Sequence, residues 1–364
     1  MLKEILTCTA ALGLLVACEE PAKASDDDPR YRELARSLPG MLEDNLTASV
    51  SLTFIENGEI AWTQVHGEQS EGVPATPETL YGLASLTKPV MAEVVLRLMS
   101  EGRIDLDDPI HTYWTDPNIR GDERSELLTP RHFLQHQSGF ANWRSMTDNV
   151  LQIGFDPGSE VQYSGEGYDA LVRVLERMYG KRFEVIADEV LFDPVGMENT
   201  SLVYQPWFEE RRAHRVNSNG EWRHFWSPTR PSAASSLSAT TEDYARFVLS
   251  VMRNDAVSQE AAIERSTLSI NQVEDYCGPG DDQTDVQPCP SFMGFGIGWF
   301  LYGFEDHTLY YHSGSNWGEK SYVLFSPELN SGLVVATTSE NFEIIYHVID
   351  VLYGNEDFLA FERN

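Results

Sequence analysis

The chain has 364 residues, enough for one large domain or two modest ones, and its 41% hydrophobic content supports a sizeable core. Against 26 Lys and Arg stand 57 Asp and Glu, a formal net charge of −31. A surface of that sign repels nucleic acid and excludes it as the principal partner, while otherwise speaking only for solubility.

At the start of the chain, Lys3 precedes the apolar stretch Ala10–Ala17, and Cys18 follows. The stretch is too short to span a bilayer and has the form of a signal peptide over residues 1–17. Leu15-Val16-Ala17-Cys18 resembles the lipobox of bacterial lipoproteins. That resemblance implies a lipid on Cys18, membrane attachment through it, and a place on the periplasmic side of a bacterial cell envelope. Ordinary cleavage, giving a soluble periplasmic or secreted protein, is the alternative. Residues 18–30 are polar and read as a flexible tether.

A short helix is expected over 31–44. Ala48–Ile55 then alternates, with Val50, Leu52 and Phe54 on one face, and Asn57-Gly58 separates it from Ile60–Val65. Two strands around Asn-Gly predict a β-hairpin. Next comes Tyr81–Lys88, which holds Ser85 and Lys88 in the spacing S-x-x-K. Val90, Glu93, Val94 and Leu98 recur at helical spacing and predict a mostly buried helix over 85–100, opening at Ser85. Positions i and i+3 share a helix face, so Lys88 can reach the Ser85 hydroxyl, and a helix N-terminus favours an alkoxide. A lysine serves as a base only when neutral, which desolvation promotes. The pattern is short, however, and Lys88 could equally snorkel to solvent.

Glu101–Ile110 is a turn with an Asp-Pro break, and 111–230 reads as helix mixed with long loops, with helical pieces at 129–137, 166–180 and 182–191. The stretch 204–232 gathers Trp207, Trp222 and Trp226 with Arg211, Arg212, Arg215, Arg223 and Arg230. It is either a solvated loop with cation–π staples or a wall of a substrate cleft. A helix resumes over 241–253, capped by Thr240 or Thr241. Cys277 and Cys289 lie in an acidic Gly/Pro-rich loop and can close a disulfide in an oxidising compartment. Strand patterns then cluster at 296–302, 307–312, 320–325 and 332–338, before an amphipathic helix over 342–352. The fold class is therefore α+β. An antiparallel sheet is built from both chain ends, 31–85 and 241–364, is flanked by helices, and has a mainly helical region inserted over 86–240.

From about residue 45 to 353 these segments resemble the serine β-lactamase-related hydrolases: class C β-lactamases, D-alanyl-D-alanine carboxypeptidases and β-lactamase-like esterases. Leu83-Ala-Ser-Leu-Thr-Lys-Pro89 is similar to the nucleophile motif and Glu101–Pro109 to the turn after it. Leu128–Phe140, Tyr163-Ser-Gly-Glu-Gly-Tyr168, Phe192–Met197 and His312-Ser-Gly-Ser315 follow in the family's order. The resemblance implies a β-lactamase/transpeptidase-like fold and a serine hydrolase that passes through an acyl-enzyme. Its substrate would be a small molecule or short peptide, and no metal or organic cofactor would take part.

Position by position, Ser85 would be the nucleophile, Lys88 would take or relay its proton, and Tyr163 would be the partner base with a lowered pKa. The N–H groups of Ser85 and Ser315 would form the oxyanion hole, with Gly314 letting the strand approach the substrate. His312, fractionally charged at neutral pH, would bind a substrate carboxylate or tune Tyr163. Two departures stand out. Gly165 replaces the asparagine whose amide supports the lysine and touches a substrate amide, and Trp143 lies where class C enzymes carry glutamine. With His312 in the place of lysine, these favour esterase or peptidase action over strong β-lactamase activity. The rival from another class is a non-catalytic binding or sensor protein on the same fold. His132 and His136, at i and i+4, read as packing or capping residues because Phe133 stands where a zinc-protease motif has Glu. Asp105, Asp107 and Asp108 lack the glycine and closing Glu of a calcium loop.

Overall fold

The computed structural model describes residues 27–224, 228–274 and 289–354. The signal segment, Cys18, most of the tether, Trp226 and Cys277 lie outside these residues. Cys289 is disulfide-bonded, and Cys277, the partner expected for it, lies outside the described residues.

Helix α1 spans Pro29–Asp44, with the Asp28 side chain accepting from the Arg30 N–H at its N-cap and proline at its first position. The expected hairpin follows as β1 (Ser49–Glu56) and β2 (Glu59–Ser70). Asn57 and Gly58 both have positive φ, 56° and 74°, which a tight two-residue turn between twisted strands requires. After the short strands β3 (Val73–Pro74) and β4 (Tyr81–Gly82), a 3₁₀ turn over Ala84–Leu86 leads into α2 (Thr87–Ser100). Ser85 thus sits in the tightened turn before the helix rather than at its first residue.

The inserted region holds α3 (Pro130–Leu134), α4 (Gly165–Tyr179), α5 (Phe183–Ala187) running into a π-helical turn, and α6 (Asp193–Val195). The helix expected over 129–137 is shorter because His136 adopts φ +59°, outside the helical region. Short strands β5 (Thr200–Ser201), β6 (Arg215–Val216), β7 (Trp222–Arg223) and β8 (Ser238–Ala239) precede α7 (Thr241–Arg253), whose N-cap is Thr240. Helix α8 (Gln259–Ser266), which has only a weak apolar face, was not expected from the pattern.

Strands β9 (Phe292–Phe295), β10 (Phe300–Gly303), β11 (Thr308–Asn316), β12 (Glu319–Ser326) and β13 (Ser331–Thr337) precede the closing helix α9 (Glu343–Tyr353). The single strand expected over 296–302 is a turn feeding β10, closed by the Gly296 N–H on the Trp299 carbonyl at 2.9 Å.

The main sheet runs β3-β2-β1-β13-β12-β11-β10-β9, antiparallel throughout, so β1 from one end of the chain pairs with β13 from the other. Val50, Leu52 and Phe54 point to one face and bury against Leu34 and Leu38 of α1 and Ile345, Val348 and Ile349 of α9. The opposite face carries Val334 and Ala336 and packs against α2, α4 and α7 through Val90, Val94, Leu171 and Phe247. Each such side chain contributes about 1.5–3 kcal/mol by leaving water.

One charged cluster crosses the helical layer. Glu93, placed by its spacing on an apolar stripe, is 1% exposed. Its carboxylate takes two bonds from Arg265 of α8, at 3.0 and 3.1 Å, with Arg97 at 3.9 Å. Arg97 in turn donates to Ser250 of α7 at 2.6 Å. Ions buried this deeply persist only when paired, so this cluster fastens α2 to α7 and α8.

The Arg/Trp stretch divides between its two readings. Arg211 lies over Trp207 at 5.6 Å and Arg212 over Phe208 at 5.3 Å, which are cation–π staples. Yet Arg212 is buried, and Arg215 pairs with buried Glu319 at 2.8 Å, so this part is not a solvated loop. The Glu319 carboxylate also fills the space beside Gly82, three residues before Ser85.

Candidate active site

The turn that carries Ser85 is tied down on every side. The Leu83 carbonyl accepts from Ser321 of β12 at 2.7 Å, and the Leu83 N–H donates to the Leu237 carbonyl at 2.9 Å. Thr87 donates its hydroxyl to the Ala84 carbonyl at 2.6 Å and accepts from the Leu237 N–H at 3.0 Å. Tyr244 of α7 donates to the Leu86 carbonyl at 2.9 Å. Ala84 has φ +47°, a left-handed conformation that costs an alanine about 1–2 kcal/mol. These surrounding bonds hold the strained residue, and with it the partly exposed Ser85, in one orientation.

Lys88 is fully buried, and its Nζ lies 3.2 Å from Ser85 Oγ and 2.9 Å from the Ala234 carbonyl oxygen. Nζ also sits 4.7 Å above the Tyr163 ring and 5.7 Å from the Tyr168 ring. Burial pulls its pKa down to about 7, against a smaller upward pull from the Asp169 carboxylate. A substantial fraction of Lys88 is therefore a neutral amine near neutral pH, facing a hydroxyl within hydrogen-bond reach.

The Tyr163 phenol lies beside the Ser85 hydroxyl, and Lys88 Nζ sits over the same ring, so Ser85, Lys88 and Tyr163 meet in one place. Its acidity differs from expectation. Burial pushes its pKa up to about 12, and the neighbouring Ser85 hydroxyl offsets that only in part. The environment around the phenol is aromatic, with the His136 ring tilted against it at 4.4 Å and Phe295 at 6.1 Å between ring centroids. Tyr163 is thus a neutral phenol at rest, not a lowered-pKa base.

His312 is also corrected. It lies on β11, 5% exposed, with Nδ1 2.7 Å from the Ser313 carbonyl and its ring centroid 6.2 Å from that of Tyr163. Burial, with Lys88 nearby, holds its pKa down at about 3, so the ring is neutral rather than fractionally charged. A neutral imidazole provides no charge for a substrate carboxylate. Of its two expected roles, the geometry retains contact with Tyr163.

On the strand side, Gly314 is required by close approach. A Cβ there would collide with the Ser321 hydroxyl and the Leu83 carbonyl, and would lie 3.2 Å from the Ala84 side chain. The absence of that carbon lets β11 lie against the turn that carries Ser85 and leaves Ser315, the next residue, exposed beside it. Opposite, Trp143 and Gly165 touch. A Cβ on Gly165 would fall 2.7 Å from Trp143 Cη2 and 3.0 Å from two neighbouring ring carbons. The indole therefore occupies the volume that an asparagine side chain at 165 would need, and the two departures noted in the sequence form one feature. Trp143 remains 36% exposed at the rim.

Three contributors were not singled out as site residues. His136 accepts the Ser164 N–H at Nδ1, 3.0 Å away, and packs its ring against Tyr163; its spacing from His132 was the available signal. His132 itself serves a capping box with Thr129. Ala234 and Asp169 act on Lys88 through a backbone carbonyl and a second-layer carboxylate, neither of which carries a local signature. Among the described residues, no group of three or more His, Cys, Asp or Glu is placed to hold a metal ion.

The family model described as Beta-lactamase matches residues 34–344, nearly the whole described chain. The chain belongs to the Beta-lactamase family. Among curated proteins, the chain is 30% identical over 193 residues to Esterase EstB of Burkholderia gladioli, an alignment covering 44% of this chain and 48% of that protein. It is 22% identical over 311 residues to Protein flp of Staphylococcus aureus, covering 78% of this chain and 58% of that one. The chain thus spans about half the length of the curated relatives it matches.

Solved structures agree in fold. The octameric penicillin-binding protein homologue from Pyrococcus abyssi superposes with a TM-score of 0.73 at 22% identity, covering 90% of this chain and 78% of that one. D-alanine carboxypeptidase AmpC from Burkholderia cenocepacia gives 0.71 at 18% identity, covering 90% and 100%. The sheet built from both ends with inserted helices is therefore the family's β-lactamase/transpeptidase-like fold.

Proposed function

We propose that the protein is a serine hydrolase that acylates Ser85 and acts on compact carboxylic esters. The observation that carries this reading is the buried Lys88 amine, 3.2 Å from the Ser85 hydroxyl, with its pKa pulled to about 7. In the acylation step Ser85 Oγ attacks the carbonyl carbon while its proton passes to Lys88 Nζ. The oxyanion is received by the N–H groups of Ser85 and Ser315. Collapse breaks the ester C–O bond, and the leaving alkoxide takes a proton from the Tyr163 phenol, which Lys88 replenishes. Water then attacks the acyl-enzyme along the same route and regenerates Ser85.

Three features favour esters over β-lactams. Gly165 provides no side-chain amide for a substrate acylamino group, Trp143 narrows that side of the cleft, and neutral His312 provides no cation for a carboxylate. The relative at 30% identity is an esterase by name. In the same proposal the enzyme works at the periplasmic face of a bacterial envelope, tethered through Cys18, with a Cys277–Cys289 disulfide; the sequence pattern supports the anchor and location. Hydrolysis of p-nitrophenyl acetate or butyrate should exceed that of nitrocefin by about 10²-fold or more in kcat/KM. Faster hydrolysis of nitrocefin would overturn the ester assignment, and failure to turn over either would favour a binding protein.

Trp143→Ala should widen the cleft. The ratio of kcat/KM for p-nitrophenyl octanoate over acetate is expected to rise by about tenfold, the scale on which extra methylenes are discriminated. An unchanged ratio would remove Trp143 from the acyl side of the site.

A further inference from the structure

Resting on the acyl-enzyme reading above, we infer that Asp169 is a positioning residue for Lys88: it clamps the Ser232–Ala234 turn against the amine and sets the pH at which the amine becomes a base. Asp169 lies one turn inside α4, directly after Tyr168. Its Oδ1 accepts from the Ser232 hydroxyl at 2.8 Å and from the Ala234 N–H at 3.4 Å. The carbonyl of that same Ala234 accepts from Lys88 Nζ at 2.9 Å. One residue therefore receives the lysine proton on one side and is held by a carboxylate on the other. The Ala234 N–H is shared with Ser232 Oγ at 3.2 Å, so Asp169 holds Ala234 both directly and through the Ser232 hydroxyl. Other bonds of the turn, such as those from the Ser236 hydroxyl to the Leu202 carbonyl at 2.8 Å and from the Ser232 N–H to Ser236 Oγ at 2.9 Å, fix its shape but do not touch the lysine.

The charge balance around Lys88 singles out the same residue. The groups facing the amine are Ser85, Tyr163 and Tyr168, His136 from the end of α3, His312 from β11, and Asp169 from α4. Both tyrosines are held protonated and both histidines are held neutral by burial. Asp169 is the carboxylate of the set; burial, and to a smaller extent Glu166 on the preceding turn of α4, raise its pKa, while Ser232, Lys88 and the Ala234 N–H favour its charged form. An anion near an ammonium favours the charged form, so Asp169 opposes the desolvation that neutralises Lys88. Too little of this opposition would leave Lys88 unable to hold the Ser85 proton after transfer. Too much would keep it charged and useless as a base.

Asp169→Asn separates clamp from charge, because the amide oxygen still accepts from Ser232 and Ala234. The test is NMR titration of ¹³Cε-labelled Lys88 in Ser85→Ala protein with and without Asp169→Asn, read beside the pH profile of kcat/KM in the single variant. Lys88 and the ascending limb of the profile should both move to lower pH by about half a unit or more. A Lys88 titration unmoved by Asp169→Asn overturns the inference, as does a limb that stays in place while the titration shifts. If the asparagine variant does not fold, Asp169→Ser removes the same charge with less bulk and serves the same comparison. The titration needs no turnover. A shift in a protein that never acylates would keep Asp169's influence on Lys88 and sink the hydrolase reading, whereas acylation of Ser85 without any shift would sink the Asp169 inference alone.

Discussion

Ser85→Ala is expected to abolish covalent labelling and to lower ester turnover by on the order of 10⁴-fold or more, since a nucleophile and its base act as a unit. Lys88→Met, which keeps the length of the side chain and removes the amine, should cost about 10²–10⁴-fold by loss of proton transfer. The double variant should be little worse than Ser85→Ala, because Lys88 has no proton to receive once the hydroxyl is gone. The order of these effects follows from geometry: Lys88 Nζ lies 3.2 Å from Ser85 Oγ, and the Tyr163 ring packs under that amine. Tyr163→Phe removes the proton donor for the leaving group but leaves Lys88 in place, so it should hurt poor leaving groups more than p-nitrophenolate. Steady-state rates on the two ester types check this directly. Equal losses for both would return Tyr163 to the role of base.

Glu93→Ala should destabilise the fold by about 3–5 kcal/mol, the cost of leaving buried cations without their partner. Arg265 is 3% exposed, donates twice to Glu93 and otherwise reaches Asn254 at 2.6 Å and the Val251 carbonyl. Removing the carboxylate leaves two guanidinium groups, Arg265 and Arg97, facing one another in the helical layer. Urea denaturation of wild type and variant measures the loss, and a difference below about 1 kcal/mol would show that the cluster relaxes at little cost. Replacing Glu93, Arg97 and Arg265 together with apolar residues of similar volume should recover much of it, as apolar substitutes for a whole buried ionic cluster often do. The same variant should slow ester turnover less than it lowers stability, because Glu93 belongs to α2 beyond the turn that carries Ser85.

Local features of the fold were legible in the sequence where geometry is set by neighbours. Asn57-Gly58 announced its hairpin because both residues tolerate positive φ, and Val50, Leu52 and Phe54 announced one buried face by alternation. Ser85 and Lys88 were legible for the same reason: three residues apart, they meet on one face of a helical turn whatever surrounds them. What the chain folds onto that turn was less visible. Glu93 could be placed on the buried stripe but its ion pair could not be read, because its partner lies 172 residues away. Asp169 and Ala234 have no local pattern, since one acts through a peptide and the other is a backbone carbonyl.

The titration states were misjudged for a physical reason. From sequence, Tyr163 was expected to have a lowered pKa and His312 to be fractionally charged, whereas burial dominates both, raising the phenol and lowering the imidazole. Gly165 read as a lost contact, but beside Trp143 it is an exchange of one side chain's volume for another's. The basic, aromatic stretch was ambiguous because the residue that decides it, Glu319, belongs to a strand about a hundred residues further on.

The claim on which the rest depends is that an uncharged Lys88 takes the Ser85 proton. The rate of fluorophosphonate labelling, followed by mass spectrometry of the Ser85 peptide from about pH 5 to about pH 10, tests it most directly. The account predicts a label on Ser85 alone, absent in Ser85→Ala, with a rate that rises through an apparent pKa of about 7, where burial places the amine. A rate that climbs only near the ordinary lysine or tyrosine range, or a label found on another residue, would contradict it.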